Sequence, residues 1–157
     1  MTRILLALGA VLVFGTVNWQ IAGKERLRTN GQVVYLEQAP VDPRSLMQGD
    51  YMALNFRLAR EIREKGPSES GAAVLKLDER RIGKFLQLDT GAPLGPDEMR
   101  FRFRLRQGAV WLGTNAFFFH EGEADRYRGA LFGEFRVNDQ GDAILVDLRD
   151  KDLRKMH

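Results

Sequence analysis

The chain has 157 residues, a formal net charge of +3 and no cysteine, which limits it to one domain of ordinary size with a short appendage. Its hydrophobic share of 44% and charged share of 29% are typical of a folded protein and exclude a disordered one. The positive charge is too sparse for a nucleic-acid-binding protein, and a chain without cysteine has no disulfides, thiolate nucleophiles or thiolate-bound zinc.

The first predicted element is an apolar amino-terminal helix. Residues 4–22 contain no charged side chain, and a helix of that length spans about 28 Å, close to the ~30 Å hydrocarbon core of a bilayer. Trp19 lies near its end, where an aromatic ring would meet the headgroups. A cleaved signal peptide has a similar plan, but cleavage after Ala22 would put Gln20 where a small residue is needed. We therefore predict a retained transmembrane anchor over residues 1–23, which contacts membrane lipid through residues 4–22.

A polar connector is predicted between the anchor and the domain, over residues 24–31. Basic side chains lie on both sides of the apolar segment, with Arg3 before it and Lys24 after it, so the local charge does not favour export of the domain. Long domains nevertheless cross membranes largely regardless of such charges. The residues therefore leave the orientation open.

The segment around which we organise the chain is residues 49–56, Gly-Asp-Tyr-Met-Ala-Leu-Asn-Phe. Gly49 and Asp50 favour a tight turn, and the residues after the turn alternate as in a strand, with Met52, Leu54 and Phe56 on one face and Tyr51, Ala53 and Asn55 on the other. The Asp50 carboxylate either bonds the backbone of the turn or binds a partner or ion. Tyr51 is either buried with a bonded hydroxyl or exposed as a contact residue.

The remaining elements are mostly strands separated by loops. A short helix beginning near Leu58 has Leu58 and Ile62 on its apolar side. Strands are predicted at residues 32–37, 72–77, 82–88, 100–106, 109–113, 116–120, 131–137 and 143–148. We predict a mainly β fold, an antiparallel sheet or partly open barrel-like domain with one short helix over residues 32–150, preceded by a single transmembrane helix and followed by a charged tail, residues 151–157.

The turn-and-strand segment matches the pattern G-D-Y-x-x-L-x-Y, with Phe56 in place of the final tyrosine. The chain therefore resembles the GDYXXLXY family of bacterial membrane-anchored proteins, and residues 130–137 are similar to the carboxy-terminal block of that family. The resemblance implies a single-pass protein of the bacterial cytoplasmic membrane whose domain faces the periplasm. It also implies a multi-pass membrane protein as partner, but no biochemical activity. The motif residues proposed for partner binding are Gly49, Asp50, Tyr51, Leu54, Asn55 and Phe56.

A second candidate surface is the strand at residues 100–106, where arginine alternates with apolar residues. Side by side on one face, these arginines need water, cross-strand acids or an anionic ligand. They are either a strip that binds anionic headgroups or an acidic partner, or a solvated face paired with aspartate and glutamate. The members of this arginine strip are Arg100, Arg102, Arg104 and Arg106.

The sequence gives little support to two chemical functions, metal binding and hydrolysis. His120 and its neighbouring acids do not have the spacing of a specific metal site, so we predict no metal and no cofactor. We predict instead that Phe117 and Phe119 lie in the core and that the acids form a turn that pairs with Arg126.

The segment from Pro43 to Tyr51 resembles the serine-bearing box of type I signal peptidases, which are also anchored, mostly β enzymes with a Ser-Lys dyad. The residues before the proline offer no hydroxyl here, and an arginine stands where the lysine should be.

Because arginine stays protonated, it cannot act as the general base of such a dyad. A hydrolase that uses Ser45 and Lys84 is kept as an alternative, as is a protein that binds an anionic lipid or envelope surface. The function predicted from the sequence is a non-catalytic, membrane-anchored binding or accessory protein outside the cytoplasm, with an integral membrane protein as its partner and no nucleic acid.

Overall fold

The structure is a computed structural model that describes residues 2–39, 47–48, 51–127 and 129–156. Within these ranges it describes every side chain except those of residues 2–8, 47–48 and 124. The elements in chain order are α1 (Thr2–Asn30), β1 (Gln32–Glu37), β2 (Met47–Gln48), β3 (Tyr51–Ala53), α2 (Arg57–Glu64), β4 (Gly71–Leu77), β5 (Gly83–Leu88), β6 (Glu98–Arg106), β7 (Ala109–Trp111), β8 (Ala116–Phe118), a 3-10 turn (Ala124–Tyr127), β9 (Phe132–Val137) and β10 (Ala143–Arg149).

The described strands form three antiparallel sheets in the orders β1-β9-β10, β2-β3-β8 and β5-β4-β6-β7. Backbone contacts between sheets join them round one core: Tyr35 bridges to Ile82, Gln38 bridges to Phe56, and the Arg102 N–H donates to the Gly141 carbonyl at 2.8 Å. The result is a mainly β domain with a curled sheet that resembles half a barrel. The predicted mainly β, antiparallel class is confirmed.

Several predicted elements agree closely with the structure. The strand predicted at residues 32–37 is β1, those predicted at residues 72–77 and 82–88 are the paired strands β4 and β5, and the alternating segment at residues 100–106 lies in β6. The predicted short helix is α2, whose Leu58 and Ile62 are buried. In each case the apolar period of the sequence matches one buried face.

The predicted polar connector is instead helical, because α1 continues to Asn30. Leu27 is only 8% exposed and lies where the end of α1 meets β9 and β10. The Gly31 N–H donates to the Leu27 carbonyl at 2.9 Å, and Arg136 donates to the Gly31 carbonyl at 3.2 Å. A guanidinium at a helix carboxyl end is favourable for the helix dipole. The polar composition of residues 24–30 gave no indication of this helix, whose end is held against the sheet by the buried Leu27.

The predicted transmembrane anchor is not confirmed by the structure. Across the side chains that are described, no helix is both long enough and apolar enough to cross a membrane. The side chains of residues 4–8, which belong to the predicted anchor, lie outside that description.

The core is centred on the Phe135 ring of β9. Phe56 meets it edge-on with ring centroids 5.2 Å apart, and Phe101 of β6 does so at 5.4 Å. Edge-to-face pairs add about 0.5–1.5 kcal/mol each beyond the area that they bury. Phe56 approaches Gly133 so closely that a Cβ there would lie 2.7 Å from its ring. The absence of a side chain at Gly133 is therefore a condition of this packing.

Gly133→Ala should destabilise the fold, because the added methyl group would overlap the Phe56 ring and lie 3.0 Å from Leu145. Overpacking of this kind costs about 1–3 kcal/mol, so thermal unfolding should begin several degrees lower. The control is Gly71→Ala in β4, where the new Cβ would lie 3.5 Å from Phe103, an ordinary contact. Equal melting temperatures for the two variants, measured on the full-length protein in detergent, would contradict this account of the core.

Candidate binding clefts

The described part of the GDYXXLXY-type motif contributes three side chains to the core, Met52, Leu54 and Phe56. Gly49 and Asp50 lie outside the described residues. Leu54 and Phe56 are buried, at 6% and 2% exposed, which makes them structural residues. Asn55 is exposed, and its carbonyl accepts the Ala39 N–H at 2.6 Å. The alternation predicted for this segment is confirmed, and of the three predicted contact residues Leu54, Asn55 and Phe56 only Asn55 has an exposed side chain.

Tyr51 lies on the outer face of the small sheet that contains β3. It is partly buried and is paired across the strands with Phe118, whose ring centroid lies 5.8 Å away. Phe118 is 74% exposed. Tyr51 therefore belongs to an aromatic pair at the surface and is not a core tyrosine.

The predicted arginine strip occupies the outer face of β6, and Phe101 and Phe103 occupy the inner face. Three of the four arginines have a partner. Arg100 forms an ion pair with Asp89 at 2.8 Å, Arg102 pairs with Asp142 at 3.0 Å, and Arg106 lies 5.5 Å from the centre of the Trp111 ring. Arg104 forms no ion pair with any described residue. The two acids that the strip requires are thus present, one from the loop after β5 and one from the β9–β10 turn.

Arg100, Arg102 and Arg104 line an open cleft of about 790 Å³, which we call the basic cleft. Lys24 of α1 lines the same cleft, together with Asp89 and Asp142. Four cationic side chains against two carboxylates leave a formal charge of +2. Clefts of about 300–1,000 Å³ are the usual size for ligand sites. The basic cleft can accept an anionic group without burying an unpaired charge.

The two carboxylates of the basic cleft are held in the ionised form. The Gly91 N–H and the Arg100 guanidinium, which outweigh burial, lower the pKa of Asp89. Burial acts to raise the pKa of Asp142, but hydrogen bonding to Asn138 and the charge of Arg102 outweigh it and lower the pKa. Lys24 lowers it further. The cleft is therefore an organised set of charges at neutral pH.

Sequence reasoning found the arginines but not Lys24, Asp89 or Asp142. Asp142 reaches β6 because the Gly141 carbonyl accepts the Arg102 N–H. Gly141 has a φ of +86°, and a Cβ there would lie 3.1 Å from the Arg100 backbone, which is a tight contact. The sequence does not show that the turn between the last two strands packs on β6.

Phe117 and Phe119, which were predicted to lie in the core, are partly buried and pack against it. The Phe117 and Phe119 rings lie 5.1 and 5.3 Å from Tyr127, and Arg126 pairs with Glu123 at 3.1 Å. Nowhere in the described chain do three histidine, aspartate or glutamate side chains come together to hold a metal ion. Ser45 lies outside the described residues and Lys84 is exposed on β5, so the Ser-Lys alternative stays an untested hypothesis.

The family profile described as GDYXXLXY protein matches residues 13–148. This range is most of the chain, and the chain therefore belongs to the GDYXXLXY family, as its motif predicts. No curated protein and no solved structure is significantly similar to it.

Asp89→Asn should lower the free energy of unfolding at pH 7, because an amide cannot replace the ionised partner of Arg100. Hydrogen bonds to charged groups contribute about 1.5–3 kcal/mol, and the remaining bond from Gly91 should keep the loss near the lower end. Because the pKa of Asp89 is lowered by folding, this stability is present above the unfolded pKa of about 3.9 and is lost as the pH falls through the folded value.

The difference in the free energy of unfolding between Asp89→Asn and the parent should therefore shrink in urea titrations as the pH is lowered below about 4. Asp139→Asn is the control, since Asp139 is exposed in the β9–β10 turn and pairs with no described residue. A deficit for Asp89→Asn that persists undiminished in acid would show that the ion pair is not its cause.

Proposed function

We propose that this member of the GDYXXLXY family is a membrane-anchored binding protein without catalysis, an accessory subunit of an integral membrane protein. Its domain would lie on the periplasmic face of the bacterial cytoplasmic membrane, and its contact surface would be the basic cleft. The observation that carries the proposal is that Lys24, at the end of the apolar part of α1, lines the same cleft as the arginine strip.

The anchor is supported by the apolar side chains of α1, which the domain leaves uncovered. Val11 and Phe14 are 70% and 68% exposed, and Trp19 is 83% exposed. Large apolar side chains that are exposed along a helix favour an apolar surrounding, and lipid supplies one. Trp19 would then lie at the headgroup level, as the sequence predicts.

The position of the basic cleft relative to the membrane follows from the continuity of α1. The helix runs without a break from the apolar residues through Lys24 to Leu27, which is buried against the sheet. Lys24 follows Ala22 by two residues, or about 3 Å along a helix axis. If residues 4–22 lie in the bilayer, the basic cleft opens at the membrane surface. The partner group most suited to it is an acidic segment of a membrane protein next to its own transmembrane helices.

Attachment to the membrane also explains how a cleft whose positive charge is partly neutralised could still bind its partner. Two of its arginines are already paired with aspartates, so a ligand must compete for them and gains little energy per contact. Confinement of both partners to one membrane raises their effective concentration and allows contacts that are individually weak.

Crosslinking in native membranes tests the accessory role. The full-length protein should yield one defined larger species, and Arg102→Glu with Arg104→Glu should reduce its yield severalfold because the cleft charge is reversed. Arg154→Glu, which makes the same change in the exposed carboxy-terminal segment, is the control. A yield that survives the double substitution would exclude the basic cleft as the contact surface, and the absence of any defined species would argue against an accessory subunit.

A second ligand for the same cleft, the anionic lipid headgroup, is favoured by the position of Lys24. Protein reconstituted alone into vesicles distinguishes the two ligands. Arg104 should become protected from phenylglyoxal in vesicles with phosphatidylglycerol but not in those of phosphatidylcholine alone, and added salt should remove the protection. Equal modification in both vesicles, together with a crosslinked species in native membranes, would assign the cleft to the protein partner.

A further inference from the structure

A second cleft lies apart from the basic cleft, between α2, the edge strand β7 and the end of the motif. Its volume is about 520 Å³, and we call it the α2–β7 cleft. Its floor consists of buried apolar side chains from two parts of the chain, and its rim consists of two arginines and two asparagines. The floor residues are Leu54, Phe56, Val110 and Leu112, and the polar rim residues are Asn55, Arg60, Arg63 and Asn115.

The two arginines of the rim are left without acidic partners. Arg60 and Arg63 stand one turn apart on α2, and neither forms an ion pair with another described residue, whereas Arg57 on the same helix pairs with Glu37 at 3.0 Å. Glu61 on the same helix does not line the cleft. Among the described residues that line it, none is acidic. Like charges one turn apart are unfavourable on a helix, so an anion that bridged both would be bound favourably.

The two asparagines present amide groups at the opposite side of the rim. Their backbones are fixed, because the Asn115 carbonyl accepts the Leu54 N–H at 2.8 Å and the Asn55 carbonyl accepts the Ala39 N–H. Neither side-chain amide bonds to another described residue. Each offers one acceptor and a donor group, which is the pattern that matches a peptide bond.

The wall formed by β7 is the edge of its sheet. In the strand order β5-β4-β6-β7, the described strands leave the outer side of β7 unpaired. Unpaired strand edges are templates for an added strand, and extended peptides are commonly bound in that way, with pockets that read alternate side chains. An apolar floor beside a cationic rim fits alternate apolar and acidic residues.

We propose that the α2–β7 cleft binds an extended acidic peptide segment of a protein partner. Arg60 and Arg63 pair with its carboxylates, Asn55 and Asn115 hydrogen-bond to its backbone, and its apolar side chains cover Leu54 and Val110. The guanidinium is the side chain best suited to carboxylates, because its planar fork donates two parallel hydrogen bonds. This site is separate from the basic cleft and needs no membrane.

The test uses full-length, ¹⁵N-labelled protein in detergent and a blocked peptide that alternates valine and glutamate, with a matched peptide in which glutamine replaces glutamate. The acidic peptide should shift the side-chain amide signals of Asn55 and Asn115 saturably, and the glutamine peptide should bind at least about tenfold more weakly. A charged hydrogen bond of about 1.5–3 kcal/mol is equivalent to that factor or more.

Arg60→Glu with Arg63→Glu should raise the dissociation constant about tenfold or more, since the reversed charges repel the peptide. Lys151→Glu with Arg154→Glu, in the exposed carboxy-terminal segment and away from both clefts, makes the same number of charge reversals and should alter the dissociation constant less than about twofold. If the double variant melts below the parent, Arg60→Gln with Arg63→Gln replaces it. Absent shifts at millimolar peptide, equal affinity for the glutamine peptide, or an equal loss from Lys151→Glu with Arg154→Glu would each overturn the proposal.

Discussion

The contact on which the rest of the structure depends is the packing of two phenylalanine rings against Phe135. Phe56 follows the motif strand, Phe101 belongs to β6, and Phe135 belongs to β9, so these three rings join segments of all three sheets. Because side chains alternate along an extended chain, fixing these rings inside also fixes their neighbours outside. Arg100 and Arg102 flank Phe101 and line the basic cleft, and Asn55 precedes Phe56 and lines the α2–β7 cleft.

Next to this aromatic centre, a buried charge connects the helix to the sheet. Glu134 is 4% exposed and accepts a hydrogen bond from Arg149 at 2.6 Å, while Arg136 lies 3.9 Å away and also donates to the Gly31 carbonyl at the end of α1. A buried carboxylate is tolerated only when it is paired in this way. The position of Lys24 in the basic cleft therefore depends on the same strand that supplies Phe135.

Features that depend on a local apolar period could be predicted from the sequence. Features that depend on contacts between distant parts of the chain could not. The alternation in β6 and the spacing of Leu58 and Ile62 are local patterns, and both specified the buried face correctly. Lys24 and Asp142 join the arginines only after α1 docks on β9 and β10 and the β9–β10 turn packs on β6. The polar residues 24–30 show no apolar period, because only Leu27 among them is buried against the sheet. One buried leucine is enough to dock the last turns of a helix that begins earlier in the chain.

The α2–β7 cleft was hidden for the same reason, since its walls are about fifty residues apart in the chain: α2 spans Arg57–Glu64 and β7 spans Ala109–Trp111. The short helix was predicted from its apolar side, and the exposure of its arginines does not by itself indicate that a strand edge lies beside them. Only the fold shows that Arg60 and Arg63, which are exposed, line a cleft with an apolar floor.

The last three residues of the family motif contribute more to the scaffold than to the surface. Leu54 and Phe56, which occupy the named positions of L-x-Y, are buried, while Asn55, which occupies the unspecified position, is exposed at the rim of a cleft. Phenylalanine is compatible with the last named position because its ring is packed between Phe135 and Gly133, where a tyrosine hydroxyl would need a hydrogen-bond partner. A pattern built on buried residues can persist while the exposed residues between them change. The polar groups of the two proposed binding surfaces accordingly lie at Asn55, a position that the motif leaves open, and among charges of β6 and α2 that the motif does not include.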